Sequence, residues 1–155
     1  KLDGTSTRNP EEAAFLFKHV CVLVRELSAQ YSMADFPTIA VISPYKQQVT
    51  LLKEFMQHYK DLLAYQSKIT VNTIDSFQGQ ERDVVYISMA RSNTDGVIGF
   101  LTDTRRMNVA MTRAKKKLVV IGDSATLSQF PFYADFISYA ASLEAHQSAW
   151  EFMDV

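Results

Sequence analysis

Three short segments of this 155-residue chain carry the kinds of side chain that bind phosphate groups. Residues 43–48 read SPYKQQ, residues 69–83 read ITVNTIDSFQGQERD, and residues 105–123 read RRMNVAMTRAKKKLVVIGD. A hydroxyl and a cation at the start of a helix suit an anion, because the free backbone N–H groups and the helix dipole favour negative charge there. A guanidinium suits a phosphate oxygen because its fork of donors is planar and always charged. The three segments therefore predict an anion-binding site.

The second segment is the most informative of the three by its own composition. Six of nine consecutive residues around Gly79 are polar, namely Thr73, Asp75, Ser76, Gln78, Gln80 and Glu81. That is more than a simple connector needs, although Asp75 and Ser76 could merely cap a turn. We therefore expect this segment to have a function.

The other two segments each have a simpler explanation. Ser43 could cap a helix and Tyr45 could pack at an ordinary strand-to-helix turn. Residues 105–117 carry six cations and no acid, which fits a solvated face as well as an anion site. If residues 105–114 form a helix, Arg106 and Arg113 lie two turns apart on one face. That helix would hold a guanidinium at the entrance to the following strand.

The apolar pattern predicts helices that alternate with short buried strands. Asn9 as a cap, Pro10 at the first helical position and Glu12 in the first turn mark a helix that runs to about Gln30. The remaining pattern predicts strands at 38–42, 69–73, 84–89 and 118–122, helices at 46–59 and 105–114, a loop at 92–103, and helical segments at the end of the chain.

Strands that are apolar on both faces and alternate with helices are typical of an α/β fold with a parallel sheet. Ligands of such sheets collect at the carboxyl ends of the strands. We therefore expect Ser43, Glu81 and Arg113 to lie near the same edge of the sheet.

The composition predicts an intracellular globular protein. Apolar residues make up 47% of the chain and charged residues 21%, which is ordinary for one soluble domain of this length, here residues 1–155. The single Cys21 excludes a disulfide framework and a Cys-based zinc site. We see neither a signal peptide nor an apolar run of the ~20 residues that span a bilayer. We expect no membrane contact and a cytoplasmic location, or a nuclear one in a eukaryote.

In their order and spacing, the three segments resemble motifs IV, V and VI of the second RecA-like domain of superfamily 1 helicases. The resemblance is to the 5′-to-3′ branch that contains the nonsense-mediated decay helicase and its DNA-helicase relatives. SPYKQQ is similar to motif IV, NTIDSFQGQERD to motif V, and RRMNVAMTRAKKKLVVIGD to motif VI with the strand after it. The likeness covers nearly the whole chain. It implies a RecA-like three-layer sandwich with a mainly parallel sheet and helices on both faces.

The resemblance also implies roles for individual residues. Glu81 matches the motif V acid that contacts the nucleotide ribose, and Arg113 matches the arginine finger that reaches the γ-phosphate. By this likeness the nucleotide side comprises Gln78, Gly79, Glu81 and Arg113, and the nucleic-acid side comprises Ser43, Tyr45, Thr73, Asp75, Ser76 and Asn108.

The sequence contains no phosphate-binding loop, because none of its five glycines begins a G-x-x-x-x-G-K-[ST] stretch. In the family, that loop and most contacts to Mg²⁺ belong to the first RecA-like domain, which we expect outside this chain. The resemblance therefore implies half of an ATP and Mg²⁺ site and half of a track for single-stranded DNA or RNA. We expect the chain alone to be inactive in ATP hydrolysis.

Two other classes of protein stay open as alternatives. A non-enzymatic nucleic-acid-binding module would use the basic run for phosphates and ignore ATP. A flavodoxin-like or receiver-like domain would use its strand ends for a small ligand, with Asp123 as its best acid, but the sequence lacks the cluster of acids that this chemistry needs. Neither class accounts for Gln78, Gly79 and Glu81 together with Arg113.

Overall fold

A five-stranded parallel sheet forms the centre of the structure. The computed structural model describes residues 9–77, 80–89, 113–122 and 149–154. The strands in these ranges are β1 (Ile39–Ser43), β2 (Ile69–Thr73), β3 (Arg82–Ser88), β4 (Ala114–Gly122) and β5 (Ala149–Asp154). They lie in the order β2-β1-β3-β4-β5, and every neighbouring pair is parallel. The predicted α/β fold with a parallel sheet is confirmed.

The longest described helix, α1 (Pro10–Ser28), begins where the sequence predicted it. Asn9 is the N-cap, and its side-chain oxygen accepts a hydrogen bond from the Glu12 amide at 3.0 Å. Pro10 fits the first helical position because its missing N–H has no partner to lose there. Apolar side chains at helical spacing bury one face of the helix against the sheet, among them Leu16, Phe17, Val20, Leu23 and Val24.

Two further helices follow β1 on the same side of the sheet. They are α2 (Lys46–Gln57) and the single turn α3 (Lys60–Leu63), and short 3₁₀ turns lie at Gln66–Lys68 and Asp75–Phe77. Leu51, Leu52 and Met56 of α2 join the core beneath α1. None of the helices in the described ranges is long and apolar enough to cross a membrane.

Both faces of β1, β3 and β4 are apolar and buried over the middle of the strands. Alternate residues pack against the helices on one face, including Ile39, Val41, Val84, Tyr86, Val119 and Ile121. The residues between them point to the opposite face and are at most 1% exposed, including Ala40, Ile42, Val85, Ile87, Leu118 and Val120. A strand that is buried on both faces is apolar at nearly every position. This explains the continuous apolar runs in the sequence.

The start of β4 departs from the prediction. We expected a helix through residue 114 and a strand only from residue 118, but Ala114 is already in β4 and Arg113 is a turn residue just before it. Alanine and lysine favour helices, yet the pairing of Ala114 with Arg82 of β3 determines the conformation here. The register shifts between Arg82 and Val84, which is a bulge-like irregularity beside the lysines of β4.

The end of the chain contains a strand where we predicted helical segments. β5 pairs with β4 from Lys117 and Ala149 to Gly122 and Asp154. The prediction was wrong for these residues because a free edge of β4 offers backbone hydrogen bonds to any extended segment. The rest of the predicted closing helices, the loop at 92–103 and residues 105–112 lie outside the described residues.

Candidate functional site

Residues 74–81, which we call the crossing segment, connect β2 to β3 across the intervening strand β1. Thr73 ends β2 and Arg82 begins β3, so the segment runs from the carboxyl end of the sheet to its amino end. Parallel crossovers usually take a dozen or more residues, and this one is shorter. Ile74 and Phe77 are each 2% exposed and anchor it to the interior.

At the carboxyl end of the sheet, the crossing segment begins beside β1. Thr73 pairs with Ser43 in the strand register, and the Ile74 amide donates to the Ser43 carbonyl at 3.1 Å. The Thr73 hydroxyl accepts from the Ser76 amide at 3.2 Å and donates to the Ser76 hydroxyl at 3.0 Å. Asp75 and Ser76 are exposed. The structure thus brings Ser43, Thr73, Asp75 and Ser76 together, as their shared role in the prediction requires.

Ser43 and Tyr45 are buried rather than presented on the surface. Both residues are 0% exposed, and Ser43 Oγ accepts a hydrogen bond from the Tyr45 amide at 3.3 Å. This is the packing of a plain strand-to-helix turn, which was the simpler explanation of SPYKQQ. In this conformation neither side chain is accessible to a ligand. A role of these two residues in binding a nucleic-acid strand would therefore be indirect, through the position of the turn that they stabilise.

At the amino end of the sheet, the crossing segment finishes beside Arg113. The Arg82 amide donates to the Arg113 carbonyl at 3.1 Å. Glu81 is exposed and Arg113 is half-buried. Arg113 Nε is buried and has no hydrogen-bond acceptor among the described residues. A buried donor without a partner costs about 1–3 kcal/mol, so this group favours a ligand that supplies an acceptor.

The expectation that Ser43, Glu81 and Arg113 share one edge of the sheet is wrong for Ser43. Ile42 of β1 pairs with Ile87 of β3, which is five residues beyond Arg82 and so about 17 Å along the strand at roughly 3.3 Å per residue. The rule that ligands gather at carboxyl ends does not apply to Glu81 and Arg113, because both residues precede their strands. The structure therefore has two groups of candidate residues, one at each end of the sheet.

Three of the predicted site residues lie outside the described residues. They are Gln78 and Gly79 of the crossing segment and Asn108 of the third motif. Their roles in nucleotide and nucleic-acid binding stay predictions.

Sequence reasoning missed a buried polar network at the carboxyl end of β3. The Ser88 hydroxyl donates to the Glu12 carboxylate, and Gln48 Nε2 donates to Ser88 Oγ at 3.0 Å. Gln48 Oε1 also accepts from the Asn9 amide at 2.7 Å. Glu12, Gln48 and Ser88 are at most 1% exposed. The network fixes the first turns of α1 and α2 against β3, and Gln48 in SPYKQQ was the sequence signal that could have indicated it.

The titratable groups with shifted pKa values belong to the helical layer. Burial is the first cause that raises the pKa of the Cys21 thiol above its usual value, and the nearby Asp61 carboxylate adds to it. Burial likewise raises the pKa of Tyr59. Across the described residues, no group of three or more His, Cys, Asp or Glu side chains gathers as a metal site. The candidate site is therefore the one built by the crossing segment.

Comparison with known proteins identifies the family. A family model described as AAA domain matches residues 1–125. The chain is 34% identical over 152 residues to the DNA-binding protein SMUBP-2 of Rattus norvegicus, which is 98% of this chain and 14% of that protein. It is 42% identical over 104 residues to the probable helicase MAGATAMA 3 of Arabidopsis thaliana, which is 66% of this chain and 12% of that protein. It is also 36% identical over 145 residues to helicase sen1 of Schizosaccharomyces pombe, which is 92% of this chain and 8% of that protein.

The chain spans 8 to 14% of the length of these three relatives. The matched family model covers most of the chain, including β1 to β4 and the whole crossing segment. The chain therefore belongs to the AAA domain family and is a superfamily 1 helicase domain.

Proposed function

We propose that this chain is the second RecA-like motor domain of an ATP-dependent nucleic-acid helicase. It supplies an arginine finger, half of the ATP site and half of the single-strand site, and the first RecA-like domain of the same protein supplies the rest. The observation that carries the proposal is the juxtaposition of Glu81 and Arg113 through the 3.1 Å hydrogen bond between Arg82 and Arg113.

The residues at the amino end of the sheet fit a nucleotide. Arg113 has a buried Nε without an acceptor in the described part of the chain, and phosphate oxygens are the acceptors that a guanidinium fork binds best. Glu81 is exposed and immediately precedes Arg82, whose amide contacts the Arg113 carbonyl, and its carboxylate can accept hydrogen bonds from ribose hydroxyl groups. When bound, ATP with its Mg²⁺ supplies the γ-phosphoryl group that is transferred to water. Arg113 then neutralises charge on that group, an effect worth about 10³- to 10⁵-fold in rate.

The residues at the carboxyl end of the sheet fit the backbone of a single strand. Thr73, Asp75 and Ser76 place hydroxyl groups, a carboxylate and turn amides at the surface. Contacts of this kind position a strand without reading its bases. They are equally suited to DNA and RNA, and discrimination through the 2′-OH depends on geometry outside these three residues.

The crossing segment joins the two halves of the proposed mechanism. Thr73 at one end and Glu81 at the other are separated by a short run that is anchored by Ile74 and Phe77. A movement of Glu81 at the nucleotide would therefore also move Thr73 at the nucleic-acid strand. Closing and opening against the first domain would move a single strand past this surface in steps.

The test of this proposal is ATP turnover by the intact protein with and without single-stranded DNA and RNA oligonucleotides. We expect turnover to rise when a strand is added, and Thr73→Val to raise the strand concentration needed for half-maximal stimulation. A matched control is Thr70→Val, a partly exposed position three residues earlier in the same strand. Tight strand binding without any stimulation of turnover would contradict the motor and favour a non-enzymatic nucleic-acid-binding module.

A further inference from the structure

The side chain of Arg82 folds back over the crossing segment that precedes it. Its Nη1 donates to the Glu81 carbonyl at 2.9 Å, and its Nη2 donates to Gln80 Oε1 at 2.9 Å. Its guanidinium carbon lies 5.1 Å from the centre of the Phe77 ring, within the range of a cation–π contact. One side chain therefore contacts three of the residues that lead up to β3.

The backbone of Arg82 connects the same group to the third motif. Its amide donates to the Arg113 carbonyl at 3.1 Å, and Arg82 pairs with Ala114 in the strand register. The Gln80 amide donates to the Phe77 carbonyl at 3.2 Å. Arg82 is thus the residue at which the end of the crossing segment meets the start of β4.

The next residue fixes the backbone on which Arg82 is carried. Asp83 Oδ2 accepts from the Thr38 amide at 2.9 Å, and the Asp83 amide donates to the Thr38 hydroxyl at 3.1 Å. This reciprocal pair ties β3 to the residue before β1. Because the backbone is held from both sides, a change in the Arg82 side chain acts on the crossing segment rather than on the strand.

The arrangement requires an arginine and cannot be reproduced by lysine. A planar guanidinium can donate two hydrogen bonds in its plane while its face covers an aromatic ring. A lysine ammonium is a point charge on a flexible stem and can satisfy only part of this geometry. A methionine keeps an unbranched apolar side chain and removes every donor, together with the charge over the Phe77 ring.

We propose that Arg82 is a positioning residue that holds the Glu81 carboxylate in register with Arg113. The inference rests on the proposed function, in which Glu81 contacts the ribose and Arg113 the γ-phosphate. Loss of the Arg82 donors frees the Glu81 carbonyl and the Gln80 side chain, so the ribose contact weakens in the ground state and the transition state alike. Such a uniform loss of binding raises KM and leaves kcat nearly unchanged.

The experiment measures steady-state kinetics of the intact protein at saturating single strand, with ATP, 2′-deoxy-ATP and 3′-deoxy-ATP. Arg82→Met is expected to raise KM for ATP about tenfold and to change kcat less than about twofold. It is also expected to reduce the preference for ATP over the poorer deoxy analogue. Arg82→Lys is expected to give intermediate values. Lys18→Met is the control, because it removes an exposed cation from α1, and it should leave KM and the preference unchanged.

Each outcome decides between the inference and the proposed function. If Glu81→Ala abolishes the ribose preference while Arg82→Met keeps both the preference and KM, the inference fails and the proposed function stands. If Glu81→Ala also keeps the preference, the role of Glu81 fails and the inference fails with it. A loss of kcat without a change in KM would overturn the inference as well. Arg82→Lys and Arg82→Gln provide the same readings if the methionine variant does not fold.

Discussion

The hydroxyl of Ser88 donates a hydrogen bond to the carboxylate of Glu12, which lies 76 residues earlier in the chain. Both residues are at most 1% exposed. The contact joins the carboxyl end of the central strand β3 to the first turn of α1, and Gln48 extends it to the first turn of α2. A buried polar network of this kind stabilises the fold only when each polar group has a hydrogen-bond partner, because an unpaired buried group keeps its full desolvation cost.

Ser88→Ala is therefore expected to destabilise the chain by about 2 kcal/mol, since it removes a partner from both Glu12 and Gln48. Equilibrium urea unfolding of the 155-residue chain measures the change. Ser67→Ala, at an exposed position in a 3₁₀ turn, is the control and should change the free energy of unfolding by less than about 0.5 kcal/mol. Equal stability of the two variants would show that the network is not coupled to folding.

Asn9 takes part in both the cap of α1 and the buried network, through its side chain and its backbone amide respectively. Substitutions can therefore measure the two contributions to stability separately. The side chain accepts from Glu12, whereas the backbone amide donates to Gln48. Asn9→Ala is expected to cost about 1 kcal/mol, the usual value of an N-cap. Gln48→Leu should cost more, about 2–3 kcal/mol, because it removes the donor to Ser88 Oγ and leaves the Asn9 amide without its acceptor. Urea unfolding followed by helical circular dichroism ranks the two, and the reverse order would contradict the assignment.

The 155-residue chain alone is expected to bind single strands weakly and with a modest dependence on salt. Exposed Lys115 and Lys116 lie on β4, but residues 118–155 contain five acids and no lysine or arginine. Each phosphate neutralised contributes about −0.7 to the slope of log K against log salt. Fluorescence anisotropy of a labelled oligonucleotide over a salt series measures the slope. Tight binding that ignores salt would contradict this account.

The same chain is expected to show no ATP hydrolysis above background, even with a single strand present. It lacks the phosphate-binding loop sequence, so the β- and γ-phosphates have no cradle and Mg²⁺ has no principal ligands in it. A phosphate-release assay under conditions in which the intact protein turns over provides the comparison. Robust turnover by the chain alone would refute the division of the ATP site between two domains.

Much of the fold could be predicted because its signals are local. Asn9 and Pro10 mark the start of α1, and the central residues of β1, β3 and β4 form continuous apolar runs. The start of β4 could not be predicted, because Ala114 and the lysines after it have helical propensity and only the pairing with Arg82 makes them extended. β5 was missed for the same reason, since an edge strand is defined by its neighbour.

Parts of the candidate site could likewise be predicted from the sequence, and other parts could not. The resemblance predicted that Glu81 and Arg113 belong to one site, but their position at the amino end of the sheet, and that of Ser43 at the other end, needed the strand register. The network of Glu12, Gln48 and Ser88 was beyond sequence reasoning, because each residue gains its partner from a distant part of the chain. Whether a polar residue in an apolar run is buried or exposed cannot be decided from the sequence until its hydrogen-bond partner is known.

The most direct test of the central claim is ATP turnover by the intact protein carrying Arg113→Ala, measured at saturating single strand. Folding should change by no more than about 0.5 kcal/mol, because the side chain lies at a half-buried turn and not in the core. Turnover should fall on the order of 10³-fold, and Arg113→Lys should restore little of it because a point charge does not reproduce the planar fork. Lys115→Ala is the control and should leave saturated turnover nearly intact. A normal rate of hydrolysis by Arg113→Ala would contradict the arginine-finger assignment.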